Sequence, residues 1–201
     1  RAMQPARISA GLDPKKSAPL TYVPNGLLPE QLSYSKDPSK AYGSIVYMGT
    51  LGEENGPDLA IRALTQVAKK IPVAHLHVIG GYPADITRLS RLATSLSIRQ
   101  RVTFYGFVEK PVDMSKILKR CYIAVAPYRA ITGSVRWYAD AGKIRAYCAA
   151  GLPVITSQVP PLGKDVAAAL PGVPRGRDQT GSSQDKARRV GLSRAGSCDF
   201  A

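Results

Sequence analysis

Short apolar runs alternate along the chain with longer segments in which apolar residues recur at helical spacing. Short runs of β-branched and aromatic residues predict buried strands, and amphipathic spacing predicts helices. The predicted strands cover residues 44–48, 73–79, 102–107, 122–126 and 153–156. The predicted helices cover residues 57–70, a segment that follows Asp85, residues 114–120 and residues 142–150. In the first helix we expect a shared buried face made of Ala60, Ala63, Leu64, Val67 and Ala68.

This alternation determines the expected fold class. Strands that alternate with helices, joined by short Gly- or Pro-rich turns, are typical of parallel βαβ units. We therefore predict an α/β protein with a Rossmann-like, doubly wound parallel sheet in a single domain. Sheets of this kind bind ligands at the carboxyl ends of their strands.

The predicted domain has irregular segments on both sides. Residues 1–20 are polar and interrupted by proline and glycine, which predicts a lead-in segment without a regular element. Residues 21–170 form the predicted domain, which opens with a short strand in 21–27. Residues 171–201 are rich in Gly, Ser, Arg and Asp and lack apolar periodicity, so we predict a disordered tail.

Charge and cysteine content narrow the class of protein. The net charge is +14, but the basic residues are scattered as short pairs without interleaved aromatic residues, so we expect a solvated surface and no nucleic-acid binding. Contact with a membrane that carries an acidic lipid-linked substrate is the alternative. Three widely spaced cysteines indicate neither a disulfide framework nor a zinc site.

No apolar run reaches the roughly 18 to 20 residues that cross a bilayer, and no signal-peptide pattern opens the sequence. We therefore expect a cytoplasmic protein, with peripheral contact at the inner face of the membrane as the second option.

The stretch DAGKIRAYCAAGLPVIT, residues 140–156, carries the strongest chemical signal. Ala141 and Gly142 lack bulk, so a diphosphate could approach free backbone amides at a helix N-terminus, and Lys143 could add a positive charge. The alternative is an ordinary connection between a strand and a helix, with an exposed lysine.

The same stretch resembles the signature of retaining GT-B glycosyltransferases, in which a small loop leads into a helix of the form K-apolar-x-E-Y-x-A-x-G. Three further stretches resemble that family in the expected order. They are YVPNGL, YMGTLGEENGPDLAIRAL and LHVIGGYPADITRLSRLATSLSIRQRVTFYGFV. The resemblance covers roughly residues 21–164 and implies half of a GT-B fold, namely the C-terminal, donor-binding domain of a group 1 (family 4 type) enzyme.

The resemblance implies that a nucleoside-diphosphate sugar of the UDP or GDP type lies along the strand ends, with no cofactor and no metal. It implies that Gly106 and Phe107 lie near the base and that residues 141–143 lie at the diphosphate. It also implies that the acceptor side comes from an N-terminal domain that is missing here, so that the chain alone is inactive. The implied donor-binding residues are Gly49, Thr50, Gly106, Phe107, Asp140, Ala141, Gly142, Lys143 and Ile144.

This chain departs from the family pattern at four positions. Many members carry two glutamates where Tyr138 and Ala146 stand here, and an arginine and a lysine where Thr50 and Asn55 stand. We therefore assign no catalytic residue. Two alternatives remain. Either Asp140, Arg136 or Arg145 replaces the missing charged residues in binding the donor, or the affinity for the donor is low. The rival interpretation is a non-catalytic, Rossmann-like binding or structural domain.

Other candidates are weaker. His75 and His77 face the same side of a strand, but no third metal ligand is evident. Gly80 and Gly81 do not complete the GxGxxG pattern of a dinucleotide site. Trp137 and Tyr138 lie in the long polar loop predicted for residues 127–141. Their rings either stack on a base or sugar or pack beneath the loop.

Overall fold

The computed structural model describes residues 3–18, 23, 26 and 41–163. Helices and strands alternate over residues 41–163, as the sequence predicts. The helices are α1 (Met3–Ser9), α2 (Pro57–Lys70), α3 (Pro83–Ser95), α4 (Pro111–Arg120) and α5 (Gly142–Ala149). The strands are β1 (Ser44–Met48), β2 (His75–Ile79), β3 (Val102–Gly106), β4 (Ile123–Ala126) and β5 (Val154–Thr156). Single 3₁₀ turns occupy Glu53–Asn55, Arg99–Arg101 and Val135–Trp137.

The five strands form one parallel sheet in the order β3-β2-β1-β4-β5. β1 lies at the centre, where Val46 is in register with His77 of β2 and with Ala124 of β4. The chain winds outward from β1 first to one side and then to the other, so the strand order reverses between β1 and β4. Ligands of doubly wound sheets bind in the crevice at such a reversal. The predicted fold class is confirmed.

Each face of the sheet is covered by its own apolar cluster. α2 and α3 pack on one face, and α4 and α5 pack on the other. The first cluster includes Tyr47, Ile61, Leu64, Leu76, Val78 and Leu89. The second includes Val46, Leu118, Ala124, Ala126, Ile144 and Tyr147. Burial on both faces explains why the strands are short, almost continuous apolar runs.

Several local expectations need correction. Residues Met3–Ser9 form α1, where no element was expected; Pro5 lies in the first turn, where the missing N–H of proline is tolerated. α3 and α4 begin at Pro83 and Pro111, each three residues before the predicted start. Ala63 is exposed on α2, whereas Ile61 is fully buried. Of the predicted strand in 21–27 only Val23 and Gly26 are described, and the predicted tail 171–201 lies outside the described residues.

Candidate functional site

The loop between β1 and α2, residues 49–56, is called the first loop. Two glycines bring it together with the loop that follows β2, at the carboxyl edge of the sheet. Gly49 follows β1 with φ +129°, and Gly80 follows β2 with φ +105°. The Gly49 N–H donates to the Ile79 carbonyl over 2.9 Å, and a Cβ on Gly80 would overlap the carbonyl of Gly49. The residue at the end of β1 therefore adds no side chain of its own to this edge.

The first loop is held by its own polar side chains. The Tyr47 hydroxyl donates to the Thr50 carbonyl over 2.7 Å, and the Asn55 side-chain amide donates to Thr50 Oγ1 over 2.8 Å. Asn55 is buried. Thr50 and Asn55 stand where the family pattern has two cations. Here they stabilise the loop by a hydrogen bond between its two ends.

Lys143 reaches back from the first turn of α5 to the end of β1. Its Nζ lies 4.6 Å from the Tyr47 ring centroid and 4.7 Å from that of Tyr128, and it donates to the Tyr47 hydroxyl over 3.3 Å. A Cβ on Gly49 would come within 2.9 Å of Lys143 Cε and Nζ. Within 41–163 the ion pairs include none from Lys143 to a carboxylate. The expected alternative of an exposed lysine is wrong.

The surroundings of Lys143 affect its protonation. Burial, with a smaller contribution from the charge of Arg136, lowers the pKa of Lys143 to about 7. Burial raises the pKa of Tyr128 to about 12 and also raises the pKa of Tyr47. The two rings therefore stay neutral at physiological pH, and the amine exchanges its proton close to neutrality.

The long loop between β4 and α5 is tied to the first loop by ion pairs. Arg136 contacts Glu54 Oε1 through Nε and Nη2, both at 2.9 Å. The Ser134 hydroxyl donates to Glu54 Oε2 over 2.8 Å, and Arg129 pairs with Asp58 at the start of α2. The hydrogen bond from Ser134 and the pairing with Arg136 lower the pKa of the Glu54 carboxyl. The loop thus has a defined conformation beside Lys143.

α5 is held against the sheet by one buried hydroxyl. The Met48 N–H donates to the Tyr147 hydroxyl over 2.6 Å, and Tyr147 is fully buried. This contact connects α5 to the last residue of β1. The sequence motif contains Tyr147 but does not indicate this partner, because Met48 lies 99 residues earlier in the chain.

The remaining predicted residues at α5 have distinct roles. The Asp140 carboxylate pairs with Arg145 at 3.0 Å. The Gly142 N–H donates to the Asp140 carbonyl and the Ile144 N–H to the Ala141 carbonyl, so the expectation that the amides here are free does not hold for these two. Ala141 is buried, and the fully buried Ile144 side chain belongs to the core. Of this set, Lys143 presents a cation to the strand edge.

Gly106 and Phe107 lie at the end of β3, one strand beyond Gly80. The Gly80 N–H donates to the Gly106 carbonyl over 2.6 Å, so this loop adjoins the edge that carries Gly49. Phe107 is 82% exposed, which leaves its ring free to contact a ligand. Tyr138 is also exposed, whereas Trp137 donates its indole N–H to the Ile131 carbonyl and packs against the core.

The histidines form a separate pair on β2. His75 bonds to the Thr103 hydroxyl at 2.8 Å and His77 to the Tyr105 hydroxyl at 2.9 Å. Burial, and then the charge of His75, lowers the pKa of His77 to about 4. No group of three metal-ligating side chains occurs among the described residues. In the same part of the chain, no helix has the length and apolar character that a membrane span requires.

The fold and the strand-edge site define the class of protein. The family model of the group 1 glycosyl transferases matches residues 43–172, so the chain belongs to that family. It corresponds to a C-terminal, Rossmann-like half of the GT-B fold. No curated protein matches it.

Solved structures share this fold at low sequence identity. WaaG, a glycosyltransferase involved in lipopolysaccharide biosynthesis, is 22% identical with a TM-score of 0.62; the match covers 83% of this chain and 45% of WaaG. Anabaena HepE, solved with UDP and glucose, is 22% identical with a TM-score of 0.59; the match covers 82% of this chain and 44% of HepE. The C-terminal domain of Francisella tularensis LpcC is 17% identical with a TM-score of 0.51, over 65% of this chain and 70% of that domain. This chain thus spans less than half the length of WaaG and HepE.

Proposed function

We propose that this chain is the donor-binding domain of a glycosyltransferase and binds a nucleoside-diphosphate sugar of the UDP or GDP type at the carboxyl edge of its sheet. The observation that carries the proposal is the position of Lys143. Its ammonium is held between two neutral rings, against the backbone of Gly49, without a carboxylate partner among the described ion pairs. A buried cation without a counter-charge attracts an anion.

The rest of the edge suits the other parts of such a donor. A Cβ on Gly142 would meet no atom within 4 Å, so a diphosphate has room beside the first turn of α5. Asp140 repels it little because Arg145 neutralises its carboxylate. At the far end, Phe107 offers an exposed ring on which a base can stack.

In transfer, this domain would supply electrostatic stabilisation. Negative charge develops on the departing diphosphate, and a fixed cation in a site of low dielectric stabilises that charge. A second, N-terminal domain would hold the glycan or lipid-linked acceptor, and its closure would exclude water. Peripheral contact with the inner face of a membrane, in the cytoplasm, follows if the acceptor is lipid-linked.

A second candidate is a non-catalytic, Rossmann-like binding or structural domain. One observation favours it. Thr50 and Asn55 are uncharged and form a hydrogen bond with each other, whereas the family pattern has two cations at these positions that can contact a ligand. Ala146 also lacks the carboxylate of the family pattern. Nucleotide binding distinguishes donor binding from a purely structural role, and sugar transfer distinguishes an enzyme from a binding module.

Calorimetric titration of the chain with UDP and GDP tests donor binding. We expect dissociation constants between micromolar and millimolar for one of the two nucleotides, because Lys143 is present while the first loop lacks its cations. Lys143→Met should abolish measurable binding. Lys116→Met should not change it, because Lys116 is exposed and paired with Asp113 on α4. Absence of binding at millimolar nucleotide would favour the structural alternative, and a submicromolar constant would contradict our interpretation of the first loop.

Sugar transfer is tested separately with radiolabelled nucleotide sugars and lipid-linked acceptors. The chain alone should form no product, because holding donor and acceptor together supplies roughly 7 to 11 kcal/mol of the barrier. Covalent attachment of the parent protein's N-terminal domain should raise transfer above background. Robust product from the chain alone would contradict the half-enzyme interpretation.

A further inference from the structure

Arg136 lies in the 3₁₀ turn Val135–Trp137 of the long loop. Only one edge of its guanidinium group, formed by Nε and Nη2, contacts a side chain among the described residues. Its Nε and Nη2 both contact the same oxygen, Oε1 of Glu54, at 2.9 Å. The second oxygen of that carboxylate accepts the Ser134 hydroxyl, and the Ser134 hydroxyl oxygen in turn accepts the Arg136 backbone N–H over 3.2 Å. Backbone and side chain of Arg136 are thus positioned by the same two partners.

The guanidinium retains donors for another ligand. It carries five N–H groups in a planar fork, and Glu54 engages only the edge formed by Nε and Nη2. Within the described part of the chain, Nη1 of Arg136 has no protein acceptor. The Arg136 side chain is 29% exposed, so it is not sealed inside the protein. A guanidinium can therefore bind the carboxylate with one edge and a phosphate with the other.

Arg136 is connected to Lys143 through the first loop. A chain of contacts connects them: Lys143 donates to the Tyr47 hydroxyl, which donates to Thr50, and Thr50 is bonded to Asn55, the neighbour of Glu54. The positive charge of Arg136 lowers the pKa of Lys143 and opposes the raised pKa values of Tyr47 and Tyr128. Its charge therefore acts at the proposed phosphate position.

We propose that Arg136 is a second ligand of the donor diphosphate, positioned by Glu54 and Ser134, and that it supplies from the long loop the cation that the first loop lacks. This inference rests on the proposed donor-binding function. Thr50 and Asn55 cannot provide charge, whereas Arg136 and Lys143 together provide two cations at the strand edge. Glu54 acts only through Arg136, as a positioning residue.

The test compares a diphosphate with its own nucleoside, because only the diphosphate can sense a phosphate ligand. Titrations use UDP with uridine and GDP with guanosine, at low and moderate salt. Arg136→Gln should weaken diphosphate binding at least tenfold and reduce its salt dependence, with nucleoside affinity unchanged within twofold. Arg136→Lys, which keeps the charge but loses the fork, should recover part of the loss.

Two further variants distinguish a direct contact of Arg136 with the diphosphate from a role in stabilising the first loop. Glu54→Gln removes the negative charge but keeps an amide oxygen that can accept from Nε and Nη2 of Arg136. Arg136 therefore stays in position, and diphosphate affinity should stay within threefold of wild type or increase. Arg88→Gln is the matched control, because Arg88 also supports the first loop, through the Leu51 carbonyl at 2.8 Å, and pairs with Asp85. It should leave both affinities unchanged. Circular dichroism and urea unfolding establish that each variant is folded.

The outcomes are distinguishable. Equal losses in Arg136→Gln and Glu54→Gln, or equal loss of diphosphate and nucleoside, would assign Arg136 a purely structural role and overturn the inference. Wild-type binding that persists unchanged in Arg136→Gln would overturn the inference alone. Failure of the wild type to bind either diphosphate at millimolar concentration would overturn the proposed function and this inference together.

Discussion

Replacing Lys143 with methionine should make the protein more stable while it removes the proposed donor site. Methionine has a similar length and no charge, so it can fill the space between the rings of Tyr47 and Tyr128. The wild-type ammonium lies there without a carboxylate partner among the described ion pairs. The fold therefore tolerates a buried charge that a ligand, not the protein, would neutralise.

The magnitude follows from the pKa of Lys143. Burial lowers it from the ordinary 10.5 to about 7. Each pH unit between the two values corresponds to about 1.36 kcal/mol, so the buried ammonium costs the folded state on the order of 5 kcal/mol below pH 7. This cost already includes the contacts of the ammonium with the two rings, so the offset comes from the imperfect fit of methionine in a site shaped for lysine, roughly 1 to 3 kcal/mol. We expect Lys143→Met to raise the free energy of unfolding by roughly 2 to 4 kcal/mol at pH 6.5.

The stability gain should depend on pH with a defined sign. The folded chain releases the Lys143 proton near pH 7, whereas the unfolded chain keeps it up to about 10.5. Between these values the unfolded state binds more protons, so wild-type stability should rise with pH by up to about 1.4 kcal/mol per pH unit. The methionine variant lacks this contribution, so its advantage should shrink between pH 7 and 9.

Urea unfolding followed by circular dichroism at pH 6.5 and pH 9 measures both quantities. Lys116→Met, which alters an exposed lysine, controls for the general effect of losing a positive charge. A Lys143→Met variant that is less stable than wild type at pH 6.5, or that has the same advantage at both pH values, would show that Lys143 is not a destabilising buried ammonium.

Three further changes test the edge and the sheet. Tyr147→Phe leaves the part-buried Met48 N–H without its side-chain acceptor, so urea unfolding should show a loss of about 1 to 3 kcal/mol; a change below about 0.5 kcal/mol would contradict this. Gly80→Ala places a Cβ against the Gly49 carbonyl at φ +105°, so it should lower the unfolding midpoint and weaken UDP or GDP binding together, and an unchanged midpoint would contradict it. The lowered pKa of His77 means that the folded chain resists protonation down to about pH 4, so native stability should fall as the pH drops from about 6.5; His77→Phe should reduce this fall, and an identical pH profile would show that His77 does not cause it.

Local signals were sufficient for the elements of the sheet. β1 and α2 lie at the bounds that the pattern predicts, 44–48 and 57–70, because glycine and proline mark their ends and each has a clear apolar period. The alternation of strands and helices was enough for the parallel topology, since a parallel pair requires a crossover between its strands. The predicted buried face of α2 was wrong at Ala63, which is exposed, and omitted Ile61, which is fully buried because it lies on the same helical face as Leu64, three residues later.

Patterns within the sequence were enough to predict the fold class and the family; that a ligand lies at the carboxyl ends of the strands stays a prediction. Tertiary structure alone decided the surroundings of that edge. Lys143 meets Tyr47 across 96 residues, Arg136 meets Glu54 across 82, and Tyr147 meets Met48 across 99. Residues 127–141 carry no period that would indicate their conformation, so these partners depend on how the long loop packs against the first loop. Local propensity cannot specify contacts over such separations, because they arise only when the strands have been brought side by side.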